Sequence, residues 1–556
     1  MEKNTVFGID LGTTHSCIAY IDEASGRPAV VSNAEGDQTT PSVVLFEGAD
    51  RVVGKEAKNA AVMYADRVVA MVKRQMGVHG WRFPFEGQDY TAEEISSYVL
   101  RKLAADTEAL LGTQVGDVVI TCPAYFGISE REATAKAGEI AGLNVLEVIN
   151  EPTAAAISYG VHAEGDQTVL VYDLGGGTFD VTLIEIKDGS VRVVATDGDH
   201  RLGGRDWDEA VVGHLAETWQ QETGSTDDPR DSEETLQDLW QRAEDGKRAL
   251  SARSEARVMV SHAGQRIAVS LTREKFDELT AHLLERTVEF TRAVLDTGRE
   301  LGTSGFDRLL LVGGSTKMPQ VAARLTDDFT VTPVVHDPDQ SVAKGAAIYG
   351  QKLSIEGGIK IEIADIMGTQ GTPVGQDSVP ADVYDKAVEN VATRAGLRKE
   401  VVAKIDQMQV TNVASHSFGI VVLDDSDGEE REHISNLVLA QETVPANKTR
   451  TFGTVEPNQS RVDIRVMENT QRGRDVPLEQ GRPIGLAVLK LTEGLPSGSP
   501  IDITFELTPD GRLKVTGRDL AEAGDETVAV VETDRGLSEE ELQQAKTRAR
   551  GIKVSG

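Results

Sequence analysis

Three things are scarce in this chain, and each scarcity excludes a class of protein. Cysteine occurs twice, as Cys17 and Cys122, both inside apolar stretches that read as strands. Two thiols cannot build a disulfide framework, so a reducing cytoplasm is the expected setting. Positive charge is also short: 57 Lys and Arg stand against 90 Asp and Glu, for a net charge of −33. Such a surplus repels a nucleic-acid backbone or an anionic membrane surface, and neither is expected as a partner. Long apolar runs are missing as well. No stretch reaches membrane-spanning length, and Met1-Glu2-Lys3-Asn4 leads into a short strand without a signal-type apolar core, so a soluble, unexported protein is expected. What is present, 556 residues of which 39% are hydrophobic, is enough to pack and too long for one core. Two to four domains are expected.

The most informative stretch is Tyr172-Asp173-Leu174-Gly175-Gly176-Gly177-Thr178-Phe179-Asp180. Three successive glycines remove every Cβ from a turn, so backbone amides there can close around a phosphate. Residues 167–171 and 181–186 on either side alternate like strands, which makes the glycines a hairpin turn. Alone, this reads equally well as a turn that touches nothing. The pattern recurs, however, in Val6-Phe7-Gly8-Ile9-Asp10-Leu11-Gly12-Thr13-Thr14-His15-Ser16: an apolar strand, Asp-Leu-Gly, hydroxyls, then another strand. Two hairpins of one design predict a duplicated domain with a phosphate between its halves.

Between the hairpins the chain alternates strand and helix. Residues 64–76 read as helical and end on Lys73-Arg74 before Gly77; taken singly, Lys73 is an ordinary surface lysine. Ile95, Val99, Leu103 and Leu110 keep a helical spacing over 92–111. A buried-type strand over 118–122, closed by Pro123, precedes a helix from Ser129 to a glycine stop at Gly142, and this alternation marks an α/β architecture. In Asn150-Glu151-Pro152 the proline suits the first helical position. Glu151 therefore sits at a strand-to-helix junction, either as a catalytic carboxylate or as a complement to the helix dipole. Polar helices are expected over roughly 231–252 and 272–295, and Leu311-Val312-Gly313-Gly314-Ser315-Thr316-Lys317 runs a strand into another glycine turn at a helix start, again an anion position.

Six blocks in order, residues 8–16, 150–159, 173–180, 198–208, 244–251 and 313–319, resemble the nucleotide-binding domain of DnaK-type chaperones, the seventy-kilodalton heat-shock family. The resemblance covers nearly all of residues 4–352 and implies an actin-like, duplicated ribonuclease-H-type fold that hydrolyses ATP slowly. It implies ATP or ADP, magnesium and potassium as cofactors. Gly12, Thr13 and Thr14 would wrap the β- and γ-phosphates from one side, and Gly175, Gly176, Gly177 and Thr178 from the other. Asp10 and Asp173 would orient magnesium through waters, which suits an ion that dehydrates reluctantly. Lys73, Glu151 and Asp180 would complete the catalytic ring with Asp173 and Thr178, Lys73 placing the water and neutralising charge. Glu244, Lys247, Arg248 and Ser251 share a helix face and would meet the adenosine. Gly313, Gly314, Ser315, Lys317 and Asp339 would close on base and ribose from the opposite side. Pro123 and Arg131 match a pair associated with passing nucleotide state to the domain surface. Glu147 stands where bacterial members carry an arginine that meets J-domain co-chaperones, so that charge is inverted. The segment between Lys73 and Glu151 is shorter than in long members, which predicts a reduced peripheral lobe.

Beyond residue 352 the pattern changes. Residues 353–407 read as a divergent linker or insert, with a loop over 368–375 and short helices over 381–407. The family's leucine-rich acidic linker is not visible, and Met408-Gln409-Val410 is the candidate replacement. Alternating runs over 408–535 predict an all-β sandwich that resembles the family's substrate-binding domain. There Phe452, Val462 and Ile464 either line a peptide pocket or fill the core, with Leu423 and Val455 on arching loops. An extended apolar segment of an unfolded protein would bind by backbone hydrogen bonds and one central side chain. Residues 536–556 read as a short helical stub, capped by Ser538 with Glu541, in place of the family's lid, which predicts fast peptide exchange. The functional expectation is an ATP-hydrolysing chaperone working with a nucleotide exchange factor. The alternatives are a nucleotide-switched scaffold serving one dedicated partner and, disfavoured by the sandwich, a small-metabolite kinase of the same superfamily.

Overall fold

The structure is a computed structural model and describes residues 5–22, 24–160, 165–369, 379–424, 431–509, 511–520, 526–529 and 537–556. Its first half holds a sheet in the order Asn144–Asn150, Asp117–Cys122, Phe7–Asp10, His15–Asp22, Arg27–Val30. Its second half holds Val334–Val335, Arg308–Val312, Gln167–Leu174, Phe179–Lys187, Ser190–Asp199 in the same sense. In each, the first strand in sequence runs antiparallel to the second and parallel to the fourth. The repeat expected from two hairpins is therefore a repeat of whole-sheet topology. These strands are apolar on both faces because both faces are covered. Leu170, Tyr172 and Leu174 point into a core with Trp207 and Trp219, while Val169 and Val171 point into another with Ala154–Ala156 and Ala346.

The two halves join where the helices Glu151–Gly160 and Ser341–Met367 cross. Contact there is backbone-close: a Cβ on Gly345 would lie 1.7 Å from the Ala154 carbonyl oxygen, and one on Gly8 would lie 2.1 Å from the Ala347 amide nitrogen. Helix Ser341–Met367 runs without a break through position 352, so the boundary expected there falls inside it. Its distal half packs with Ala381–Ala395 and Lys399–Gln407 around Ile355, Ile359, Ile363, Val388 and Val402. Most of the expected 368–375 loop lies outside the described residues.

The way out of this three-helix unit is a strand. Val410–Val413 pairs parallel with Ser190–Asp199, in the register Val191 with Val410, and then antiparallel with Thr443–Val444. The candidate linker lies just ahead of it: the Gln409 carbonyl accepts from the Val191 amide at 2.8 Å, and the Gln409 amide donates to Ser190 Oγ at 3.1 Å. The following residues form two antiparallel sheets with a shared core. Ile501, Ile503, Phe505 and Leu507 alternate inward along one strand, facing Phe418, Ile420 and Ile464. Ile128, from the first half, enters the same core.

Two local expectations change. Residues 64–76 are not a helix but two 3₁₀ turns, Ala65–Arg67 and Val72–Gln75, separated by Val68–Val69, which pairs with Val44–Glu47. Two adjacent β-branched residues take an edge-strand position there in preference to a helical one. The C-terminal helix Glu539–Gly551, opened by the Ser538–Glu541 capping box, is not a free stub. It packs on the helices Ala92–Leu111 and Ile128–Ile140, and Leu537, Leu542, Ala545 and Ala549 share a core with Phe46 and Tyr98. Arg101 donates to the Ile552 carbonyl at 2.9 Å, Lys136 to the Leu537 carbonyl at 2.8 Å, and Arg548 pairs with Glu94 at 2.6 Å. Val554–Ser555 then adds a parallel strand to Asp50–Val53. The narrow stripe of Leu542, Ala545 and Ala549 allows this close approach. Leu542→Ala should lower the stability of the first half by about 3 kcal/mol, read as earlier thermal unfolding and faster amide exchange in residues 92–111; unchanged exchange would show that the helix contributes nothing to that core.

Candidate functional site

The glycine turns meet at the floor of a cleft of about 840 Å3 between the two halves. Glycine is required there because the opposite hairpin fills the space. A Cβ on Gly176 would come within 2.3 Å of the Thr14 side chain, and one on Gly177 within 2.3 Å of Thr13. A third turn backs the first two: the Gly204 and Arg205 amides donate to the Gly175 and Gly176 carbonyls at 2.9 and 2.8 Å. Ser315 Oγ adds a bond to the Gly175 carbonyl at 2.9 Å.

Lys73 reaches the floor from its 3₁₀ turn, 4% exposed, and bonds Glu151 Oε1 at 2.5 Å. Asp10 and Asp173 stand at the ends of the first strand of each half. Asp180, 1% exposed, accepts from the Tyr125 amide at 3.0 Å. Burial, and then the Glu151 charge, push the Asp10 and Asp180 carboxyls each up to about 7, and the same causes raise Asp173 well above the carboxylate range. Burial works against the Lys73 charge, but Glu151 and Asp10 more than offset it and hold its pKa above the ordinary value. Four carboxyl groups thus share one ammonium, and three of them are pushed toward the neutral form. The site lacks positive charge, and a polyphosphate would deepen that deficit. Among the described residues no three carboxylate, imidazole or thiol groups converge closely enough to hold a metal directly. The donor set therefore fits a hard divalent cation held through water, as magnesium is commonly held.

Higher in the cleft, helix Glu233–Ala252 presents Glu244, Lys247, Arg248 and Ser251. Lys247 pairs with Asp208 at 2.7 Å and donates to the Gly204 carbonyl at 2.8 Å. Glu244 is bound across the cleft by Lys58 at 2.6 Å. Gly313, Gly314 and the Lys317–Asp339 pair form the opposite wall. Of the residues expected at this site, all line the cleft except Gly177 and Asp180, which stand just behind its surface.

Several lining residues were not anticipated. Arg74 donates to the Gly177 carbonyl at 2.9 Å and pairs with Asp206 at 2.6 Å. Arg205 stacks over the Trp240 ring at 3.1 Å. Trp240 shares the helical face of Glu244, Lys247 and Ser251, so spacing was a usable signal for it. Lys58 carried no signal, because its partner lies on the other half. His15 lines the cleft, and burial together with the Lys58 cation pushes its pKa down to about 4.

In the sandwich, Ile464 is 3% exposed and belongs to the core, with Phe452 and Val462 half-buried against it. Leu423 and Val455 are exposed. Arg131 donates to the Phe126 carbonyl at 3.0 Å and bonds Asn150, the neighbour of Glu151. Beside it, Glu130 receives two hydrogen bonds from Arg482 of the sandwich, each 2.9 Å. Glu147 accepts from the Tyr349 hydroxyl at 2.9 Å.

Fold and cleft together define a class: duplicated two-lobed α/β proteins with a glycine-floored cleft, followed by a β-sandwich. Comparison with known proteins narrows the class. A family model described as Hsp70 protein matches residues 6–82, 80–372 and 383–554. Two curated proteins named Chaperone protein DnaK, from Halobacterium salinarum strains R1 and NRC-1, are each 35% identical over 557 aligned residues, covering 99% of this chain and 78% of their own length. The chain belongs to the Hsp70 family.

The neutral, half-buried His15 has a consequence for stability. Its folded pKa lies near 4 and its ordinary value is 6.5, so between these limits the unfolded chain takes up a proton that the folded chain refuses. Stability is expected to fall as pH drops through that window. His15→Gln removes this contribution, so urea midpoints of wild type and variant should diverge between pH 6.5 and 4; parallel curves would exclude a depressed His15.

Proposed function

We propose that this protein is a chaperone of the DnaK type in which ATP, bound and hydrolysed in the cleft, controls the binding of extended apolar peptide segments by the sandwich. The observation that carries this reading is the buried Lys73–Glu151 pair between two interlocked glycine hairpins. The two-lobed part takes the actin-like, ribonuclease-H-type role, residues 353–407 form an added unit, and the sandwich takes the substrate role. Free, buried thiols at Cys17 and Cys122 suit a reducing cytoplasm.

The phosphates lie between Gly12–Thr14 and Gly175–Thr178, with adenosine between the helix face of Glu244, Lys247, Arg248 and Ser251 and the wall of Gly313, Gly314, Ser315, Lys317 and Asp339. Magnesium, held through water near Asp10 and Asp173, supplies the positive charge that the transferred group needs. Phosphoryl transfer asks little covalent help from a protein beyond placement and charge. Glu151 fixes the Lys73 ammonium, which meets the terminal phosphate and the attacking water, and Asp180 and Thr178 complete the polar ring.

Two paths support coupling to the sandwich. Strand Ser190–Asp199 pairs with Asp180 through Gly198 at one end and with Val410 through Val191 at the other, spanning roughly 25 Å. Arg131 and the Glu130–Arg482 bonds form the second path. Co-chaperones and an exchange factor act on this cycle in general. Glu147, bonded by Tyr349, places a carboxylate where an arginine-centred J-domain contact needs a cation.

Lys73→Ala should keep nucleotide affinity within a few-fold and lower single-turnover hydrolysis by about 10²-fold or more; undiminished turnover would remove Lys73 from the reaction. Lys58→Ala breaks the bridge across the cleft, and release of a fluorescent ADP analogue should quicken about fivefold; an unchanged release rate would show that the bridge does not hold the cleft closed.

A further inference from the structure

We infer that Arg205 is a residue by which the cleft tells ATP from ADP: its guanidinium leaves the face of Trp240 to hold the terminal phosphate and returns there when that phosphate is gone. The inference rests on the nucleotide reading of the cleft and adds a specificity determinant to it.

Arg205 lines the cleft from the second half and is half-buried. Burial pulls its pKa down to about 10, so it stays a cation at neutral pH. A guanidinium carries five N–H donors, and one withdrawn from bulk water normally finds acceptors for them. Arg205 has none: among the described residues its side chain makes no hydrogen bond and no ion pair, and it rests on the Trp240 ring, 3.1 Å from the ring centre. The acids around it are engaged elsewhere. Asp208 holds Lys247 at 2.7 Å, Glu244 holds Lys58 at 2.6 Å, and Asp206 holds Arg74 at 2.6 Å. Glu209, the remaining carboxylate whose charge reaches Arg205, is exposed to solvent.

The backbone roots this cation beside the second glycine hairpin. The Arg205 amide donates to the Gly176 carbonyl at 2.8 Å, and from the opposite half Arg74 donates to the Gly177 carbonyl at 2.9 Å. Arg74 shares its 3₁₀ turn with Lys73, which the nucleotide reading places at the terminal phosphate. Arg74 and Arg205 stand near enough that the Arg74 charge adds to the lowering of the Arg205 pKa. Two guanidinium groups from opposite halves therefore flank one hairpin, and by themselves they repel. A doubly charged phosphate between them removes that repulsion and gains charge-assisted bonds. The donor-only fork of arginine matches phosphate oxygens, whereas ribose hydroxyls, which also donate, are better met by a carboxylate such as Glu244. Resting on Trp240 keeps the side chain available, because a cation–π contact is weaker than two bonds to a phosphate and frees no buried partner when it breaks. ADP lacks the group that would draw Arg205 away.

The test measures the affinity of the full chain for ATP and for ADP with magnesium, by stopped flow on a timescale too short for hydrolysis, together with tryptophan emission. Arg205→Gln should weaken ATP about tenfold and ADP by less than about twofold. Arg205→Lys, which keeps the charge without the fork, should fall between wild type and Arg205→Gln for ATP, and decides the question by the same comparison if Arg205→Gln fails to fold. ATP, but not ADP, should change the emission of Trp240, assigned by its loss in Trp240→Phe, and the change should vanish in Arg205→Gln. Equal weakening of both nucleotides, weakening of neither, or a Trp240 change that ADP also produces overturns the inference. Failure of wild type to bind either nucleotide overturns the nucleotide reading with it.

Discussion

An ammonium group at 4% exposure is costly to hold in a protein, and the architecture around Lys73 is the means of holding it. Glu151 lies 2.5 Å away, and Asp10, Asp173 and Asp180 crowd the same floor, raised in pKa by burial and then by the Glu151 charge. A floor of apolar residues of like volume would be neutral or better for stability alone. Carboxyl groups held short of full ionisation on the floor of an open cleft are instead the complement of a cation that arrives with a ligand. Separate apolar cores on either side supply the stability that such a floor does not.

The same constraint explains the close approach of the halves. The floor is drawn from both of them: Asp10, Thr13, Thr14 and Lys73 from the first, and Asp173, Gly175, Gly176 and Thr178 from the second. Any slippage between halves would separate Lys73 from the second hairpin. Backbone contact of the two crossing helices at Gly345, and of strand Phe7–Asp10 with helix Ser341–Met367 at Gly8, opposes that slippage. The sandwich is tied to both halves, to the second by strand Val410–Val413 and to the first by Ile128 and the Glu130–Arg482 bonds. The C-terminal helix returns the chain to the first half.

Much of the cleft was legible because its chemistry is local in sequence. Glycine runs, Asp-Leu-Gly and the strand-to-helix turn at Glu151 each state their need for close backbone approach or for a placed carboxylate within a few residues. Lys58, Arg74 and Arg205 were not legible as site residues, because each has its meaning from a partner on a distant segment: Glu244, Asp206 and Trp240. The linker was named only as a candidate, Met408-Gln409-Val410, for a related reason. A leucine-rich signature is one way to pair with the edge of Ser190–Asp199, but the pairing itself uses main-chain groups, and Gln409-Val410 supplies those equally well.

By itself the sequence determined the strand-and-helix alternation, the two glycine hairpins, the charge balance and the capped C-terminal helix, since hydrophobic period, missing Cβ atoms and cap residues act over short distances. Tertiary structure alone decided that Lys73 is buried rather than solvated, that the C-terminal helix completes the first half rather than standing free, and that Ile464 belongs to the sandwich core. Each of those outcomes depends on what a distant segment brings to the same place, and burial is a property of that meeting rather than of any residue in it.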